Sequence, residues 1–180
     1  MAFKRPAILD NETALYDYAL GALGRRMRSV AELKRLMRAR VTSDEHGELL
    51  METVIARLKE NKYLNDSSYA AAFSGFRRDN EKFGRRRVIT DLKAKGVHGD
   101  VIEKAVTAAF RDVSEAEQAR AFLRRKRLKK PENDRETARI FRALMRAGFS
   151  TATSIKLLKD WNVDDETLTA LEEESSESQS

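Results

Sequence analysis

Three stretches of this chain share one pattern. "LMRARV" (Leu36–Val41), "LKAKGV" (Leu92–Val97) and "LMRAGF" (Leu144–Phe149) each place a leucine, a basic residue one or two positions on, a small residue, and an apolar residue five positions after the leucine. They recur at spacings of 56 and 52 residues. A motif returning at such an interval marks a repeat of one supersecondary unit, too small to bury its apolar face alone. Each copy reads as the end of one helix and the opening of the next. Gly96 and Gly148 stand where a helix ends in a residue of positive φ, which glycine adopts without a steric penalty. Arg40 takes that place in the first copy, so that end must turn differently or carry strain.

An earlier helix precedes each copy. Leu15, Tyr18, Ala19, Ala22 and Leu23 follow the i, i+3, i+4, i+7, i+8 spacing of a single buried face, and Tyr69, Ala72, Phe73 and Phe76 do the same. Ala116, Ala119 and Leu123, joined by Phe122, form a weaker third stripe. A third helix in each copy carries Leu50, Val54 and Leu58, then Val101, Ala105 and Ala109, then Ile155 and Leu158. Ser29 with Glu32, Thr42 with Glu45, and Ser114 with Glu117 have capping-box spacing, and Asp66, Asp134 and Ser150 are further N-cap candidates. The expected architecture is all-α, with three tandem three-helix repeats over 12–62, 63–112 and 113–162. A flexible N-terminus, 1–11, precedes them, and an acidic, disordered tail, 163–180, follows. Stacked units of this kind give an elongated molecule, and a compact helical bundle is the alternative.

Composition agrees with helices: only 2 Pro and 8 Gly occur in 180 residues. With no cysteine, a disulfide framework and thiol chemistry are excluded. No apolar run approaches the roughly 18 residues of a membrane span, and no signal peptide is evident, so a cytoplasmic protein without a membrane partner is expected. The net charge of +6 is unevenly placed. Residues 164–180 hold seven acids and no base, so 35 bases face 22 acids over residues 1–163, a net of +13. A basic body suggests a polyanionic partner.

Catalysis finds little support. His46 and His98 lie in different repeats without metal-ligand spacing, and there is no phosphate-binding glycine loop or nucleophile elbow. Asp79 with Glu81 reads as a solvated helix end. No enzyme activity, metal or cofactor is expected.

The basic residues carry the stronger signal. Arg25-Arg26, Arg77-Arg78 and Arg124-Arg125 follow directly on the three leading stripes. "GRRRV", with Arg85, Arg86 and Arg87, and "FLRRKRLKK", with Arg124 to Arg127, have no acid beside them, and Lys93 and Lys95 close the helix that Arg85 opens. Guanidinium groups suit phosphate and carboxylate oxygens. The candidate contact residues are therefore Arg25, Arg26, Arg77, Arg78, Arg85, Arg86, Arg87, Lys93, Lys95, Arg124, Arg125, Lys126 and Arg127. Tyr16, Tyr63, Phe83 and Trp161 lie outside the clear core stripes. Phe83 is the best of them for stacking on a base, although core packing is the stronger reading, and Tyr63 and Trp161 are expected to plug junctions between repeats.

Three segments carry a family resemblance: "ALYDYALGALGRRMRSVAELKRLMRARV", "VIARLKENKYLNDSSYAAAFSGFRRDNEKFGRRRVITDLKAKGV" and "ARIFRALMRAGFSTATSIKLL". Their order and spacing resemble RecX, the bacterial regulator of the RecA recombinase, over roughly residues 12–160. The matching positions are Tyr63, Leu64 and Asp66, then Gly84, Arg86, Leu92 and Gly96. Arg85 departs from the proline common after the glycine, Arg40 departs from a common glycine, and the acidic tail is unusual. The resemblance implies an elongated, curved, all-helical, non-enzymatic protein, and a monomer is expected. It implies binding in the groove of the RecA filament on single-stranded DNA, with inhibition of ATP turnover, strand exchange and co-protease activity. The alternative is a general nucleic-acid-binding protein without a recombinase partner.

Overall fold

The structure, a computed structural model, describes residues 7–177. It is all-α: ten helices and, among the described residues, no strand. Nine follow as three sets of three: α1 (Glu12–Arg25), α2 (Val30–Arg38) and α3 (Glu45–Glu60); α4 (Asp66–Asp79), α5 (Arg85–Ala94) and α6 (Gly99–Phe110); α7 (Glu115–Arg125), α8 (Asp134–Arg146) and α9 (Thr151–Lys159). The tenth, α10 (Asp165–Glu177), occupies the segment expected as a disordered tail. Leu168 and Leu171, on one face of it, are buried, and that burial is what an unstructured acidic tail could not offer. Residues 178–180 of the expected tail, and 1–6 of the expected flexible N-terminus, lie outside the described residues.

Capping shows how local chemistry sets the helix starts. Ser29 makes the full reciprocal box with Glu32. Ser114 and Ser150 accept from the N–H groups of Glu117 and Thr153, as expected. Three expected caps are displaced. Asp44, not Thr42, caps α3 by accepting the Gly47 N–H at 2.8 Å, and the Thr42 hydroxyl donates to Asp44 at 2.6 Å. Asn65, not Asp66, accepts the N–H groups of Ser67 and Ser68 at 2.9 and 3.0 Å. That leaves the Asp66 carboxylate to accept the Val30 N–H at 2.8 Å, 36 residues away in sequence. Asn133, not Asp134, caps α8.

The helix ends divide as glycine predicts. Gly96 and Gly148 have φ of 73° and 88°. Arg40 stays out of the left-handed region. Its N–H donates to Met37 O at 2.7 Å, its carbonyl accepts the Leu9 N–H at 2.6 Å, and its guanidinium lies 4.6 Å from the Tyr18 ring centre. The first copy thus turns without strain and uses Arg40 to hold residues 7–9.

Two compact units divide the chain, Met1–Ala71 with Leu92–Ile102 and Ala72–Asp91 with Glu103–Ser180, so that α4, α5 and α6 each contribute to both. The first has its core in Leu15, Ala19 and Ala22 of α1, Leu33 and Met37 of α2, and Met51, Val54, Ile55 and Leu58 of α3. The second has its core in Phe122 and Leu123 of α7, Ile140, Phe141 and Leu144 of α8, Leu157 and Leu158 of α9, and Phe149 between α8 and α9. Each fully buried side chain of this size contributes about 2 kcal/mol.

Two predicted faces are rotated by one residue. On α4, Tyr69, Ala70 and Ser74 are buried and Phe73 half-buried, whereas Ala72 and Phe76 are exposed. On α6, Ile102 and Val106 are buried, and Val101, Ala105 and Ala109 only half so. Both helices are rich in alanine and other small residues, for which two adjacent frames are almost equally apolar.

Candidate functional site

In the first unit the basic residues surround Glu32. The capping box that starts α2 aims its carboxylate inward, with a side chain only 11% exposed. Lys95 Nζ lies 2.8 Å from one oxygen, and the Tyr69 hydroxyl and the Ser29 N–H donate to the other at 3.2 and 3.3 Å. The Ser29 hydroxyl donates to Lys95 O at 2.6 Å, fixing the end of the "LKAKGV" segment. Burial pushes the Glu32 carboxyl up, but the Lys95 and Ser29 hydrogen bonds outweigh it and hold the group below the usual glutamate range. Burial, followed by the Glu32 charge, pushes the Tyr69 phenol to about 12. Arg26, Arg28, Arg35 and Lys95 line a concavity of about 320 Å³ around this network, and Glu32 is its one carboxylate. Arg25, Arg26 and Lys93 are exposed and make no ion pair among the described residues.

In the second unit the arginines divide by partner. Arg77 is half-buried, its guanidinium 4.9 Å from the Phe73 ring centre and 5.4 Å from that of Phe83, and 3.1 Å from Asp91. Arg78 pairs with Asp79 at 2.7 Å and donates to the Ala109 carbonyl. These two, and Lys95 in the first unit, were expected as partner contacts. Each also serves the fold: Arg77 lies beside Asp91, Arg78 beside Asp79 and the Ala109 carbonyl, and Lys95 beside Glu32. Arg85 pairs with Glu103 at 2.7 Å, Arg87 with Asp91 at 3.0 Å and Arg125 with Glu81 at 3.3 Å, and all three stay exposed. Arg86, Arg124, Lys126 and Arg127 are exposed and form no ion pair among the described residues.

Two concavities of the second unit are lined by Arg85 to Arg87 and Lys126 of these groups. One, of about 320 Å³, is lined by Arg85, Arg86, Phe110, Glu115, Gln118 and Ser150. Glu115 accepts the Ser150 N–H at 2.8 Å, its hydroxyl at 2.7 Å and the Thr153 hydroxyl at 2.5 Å. Burial pushes its carboxyl up, but these bonds and the Arg86 charge hold it below the usual range. Sequence reasoning missed Glu115, which caps α9 from 35 residues away and leaves no local trace. The other concavity, of about 450 Å³, is lined by Phe83 and Phe122 on one hand and by Arg87, Lys126 and Arg146 on the other, with Leu128 among them. Arg146 was also missed, although it is the basic residue of the third returning motif.

The aromatic expectations divide. Phe83 packs against the core, with its ring 6.2 Å from Phe122, and Trp161 is half-buried against the same core. Tyr63, expected at a junction, is 59% exposed. The Tyr16 hydroxyl accepts from Asn61 at 3.0 Å. His46 and His98 are exposed, and no three of His, Asp and Glu gather as a metal-binding group among the described residues. No helix among them is long and apolar enough to cross a membrane.

This arrangement has known relatives. A family model described as the second three-helix domain of RecX matches residues 65–106. The regulatory protein RecX of Myxococcus xanthus is 32% identical over 168 residues, covering 86% of this chain and 89% of the relative. That of Pseudomonas putida KT2440 is 29% identical over 160 residues, covering 88% and 98%. The Bacillus subtilis protein is longer: the chain spans 36% of it, at 33% identity. Two crystal structures share the fold. A regulatory protein RecX superposes with a TM-score of 0.65 at 20% identity, covering 83% of this chain and 71% of that one. RecX from Lactobacillus salivarius superposes with a TM-score of 0.64 at 17% identity, covering 84% and 96%. The chain belongs to the RecX family of regulatory proteins.

Proposed function

We propose that the chain is a non-catalytic inhibitor of the RecA recombinase. It binds the RecA filament on single-stranded DNA and slows ATP turnover, strand exchange and co-protease activity. One observation carries the reading: both units expose arginines and lysines that form no ion pair among the described residues, Arg25, Arg26 and Lys93 in the first and Arg86, Arg124, Lys126 and Arg127 in the second. A charge left uncompensated on a folded surface attracts an anionic partner and speeds its capture. Arg85 joins the contact by exchanging one exposed ion pair for another, at little cost, and the exposed Arg87 and Arg125 add their charge while their carboxylates stay half-buried. The repeats 12–62, 63–112 and 113–162 are the proposed structural units of that contact, and its action is obstruction of the subunit movements that ATP turnover needs.

The test is RecA ATP hydrolysis on saturating single-stranded DNA at fixed, moderate salt, titrated with this protein. Inhibition well below one protein per recombinase is the expected result. Hydrolysis that falls only as free DNA is consumed would instead establish a general nucleic-acid binder. The variant Arg86→Ala with Arg124→Ala and Arg127→Ala should lose inhibition while keeping its helical circular dichroism.

A further inference from the structure

The larger concavity of the second unit combines two properties that no single role in the fold requires. Its aromatic lining is rigid. The Phe83 ring is half-buried and tilted 43° against Phe122, at 6.2 Å between centres. Phe122 is in turn held by the fully buried Phe149 at 5.8 Å. Cations line it too: Arg87, Lys126 and Arg146, together with Leu128, and no carboxylate does. Lys126 and Arg146 make no ion pair among the described residues. Arg87 stays exposed while its Nε lies 3.0 Å from the half-buried Asp91, and its guanidinium lies 5.6 Å from the Phe83 ring centre.

Each property narrows the ligand. Three lining cations, of which Lys126 and Arg146 have no ion pair among the described residues, select an anion. An inorganic phosphate would leave the phenylalanine rings unused, and an apolar side chain would leave the cations unused. A volume of about 450 Å³ falls within the range of pockets that enclose a small ligand. A planar, apolar face joined to a negative charge is a nucleotide, and bases stack on aromatic side chains whatever their identity. Arg124 and Arg127, exposed on the same end of α7 and its following turn, offer contacts for the neighbouring phosphates of a strand.

We propose that this concavity is a nucleotide subsite: one base of a single strand lies against Phe83, and the phosphates beside it meet Arg87, Lys126 and Arg146. The proposal rests on the reading that single-stranded DNA reaches the second unit, and it adds that the unit grips a base as well as the backbone.

The experiment compares binding of the full chain to an oligothymidylate of about eight nucleotides with binding to an abasic strand of the same length. The native chain should bind the thymidylate about 10-fold more tightly. Phe83→Leu keeps the apolar volume and removes the ring, so it should abolish that preference while retaining abasic binding. Lys126→Glu with Arg146→Glu, both on the surface, should weaken both strands. Iodouracil placed in the thymidylate should cross-link on irradiation to the peptide containing Phe83. Equal affinity for the two strands, or a cross-link confined to other peptides, would overturn the subsite and leave recombinase inhibition standing. A chain that binds neither strand yet inhibits RecA would overturn it too, in favour of a protein-only contact. Loss of inhibition with the stacking preference intact would refute the regulatory reading and keep the subsite.

Discussion

Replacing Gly148 with alanine tests how α5 and α8 meet. Gly148 sits at φ 88°, where a side chain costs about 1–2 kcal/mol. The space is also closed. An added Cβ would meet the Arg87 backbone nitrogen, and would lie 2.6 Å from Arg87 Cβ and 2.9 Å from its Cα. On the other side of this crossing, Gly84 is packed as closely against the Gly148 carbonyl and the Phe149 nitrogen, and its N–H donates to Ala147 O at 2.8 Å. Backbone atoms cannot rotate aside as a side chain does, so the start of α5 must move away from α8. The movement adds an overpacking penalty of about 1–3 kcal/mol. The expected loss is therefore roughly 2–5 kcal/mol, a large part of the 5–15 kcal/mol that keeps a domain folded.

The assay is built into the chain. Trp161, its single tryptophan, is half-buried against the core of the second unit, so its fluorescence during urea unfolding reports on that unit. The control is Gly75→Ala on α4, where nothing lies within 4 Å of the added Cβ. That variant should gain about 0.5–1 kcal/mol, because glycine is the poorer helix former. If Gly148→Ala lost less than about 1 kcal/mol, or behaved like the control, the close crossing of α5 and α8 would be refuted.

Arg77 and Arg87 share Asp91, and their alanine variants should differ: Arg77→Ala loses a half-buried group between two rings and costs about 2 kcal/mol in urea unfolding, whereas Arg87→Ala costs about 0.5 kcal/mol. Glu115 has a lowered carboxyl, so its stabilisation is present above the ordinary glutamate range and is lost as pH falls through its lower folded value. Acid titration followed by Trp161 fluorescence should show this loss, and Glu115→Gln should flatten it. Leu168→Ala on α10 should destabilise the second unit by about 2 kcal/mol in the same fluorescence assay, whereas a disordered tail would show no change.

The helices and their ends were legible because their signals are local. A stripe such as Leu15, Ala19 and Ala22 lies within one helix, and a positive-φ glycine announces itself by its neighbours. What failed was decided elsewhere in the chain. Asn65 and Asp66 are equally good caps on paper, and the choice fell to Asn65 while Asp66 took the distant Val30 N–H. Tyr69, Ala72, Phe73 and Phe76 form as good a stripe as Tyr69, Ala70, Phe73 and Ser74. The second stripe turns Arg77 toward Asp91, an ion pair across 14 residues that no window along α4 contains. The acidic tail was misread through its charge. Leu168 and Leu171 carry helical spacing there, but two leucines among glutamates become a signal only once α8 and α9 offer a surface to cover.

The basic site shows the same division more sharply. "GRRRV" reads as three equivalent arginines without acids, yet the fold gives Glu103 to Arg85 and Asp91 to Arg87, and leaves Arg86 with no close ion pair among the described residues, only the more distant charge of Glu115. Partner counting alone would then set Arg87 aside. The electrostatics argue otherwise. Asp91 brings one negative charge to two guanidiniums, and Arg77, fixed between Phe73 and Phe83, is the one that cannot leave. Arg87 lies 3.0 Å from the same carboxylate, and its exposed guanidinium is 5.6 Å from the Phe83 ring centre, at the edge of the aromatic concavity. One half-buried carboxylate shared by two arginines thus does two things at once. It ties α5 to α4 through Arg77, and it holds Arg87 at the surface beside the aromatic concavity, where the proposed subsite needs a cation.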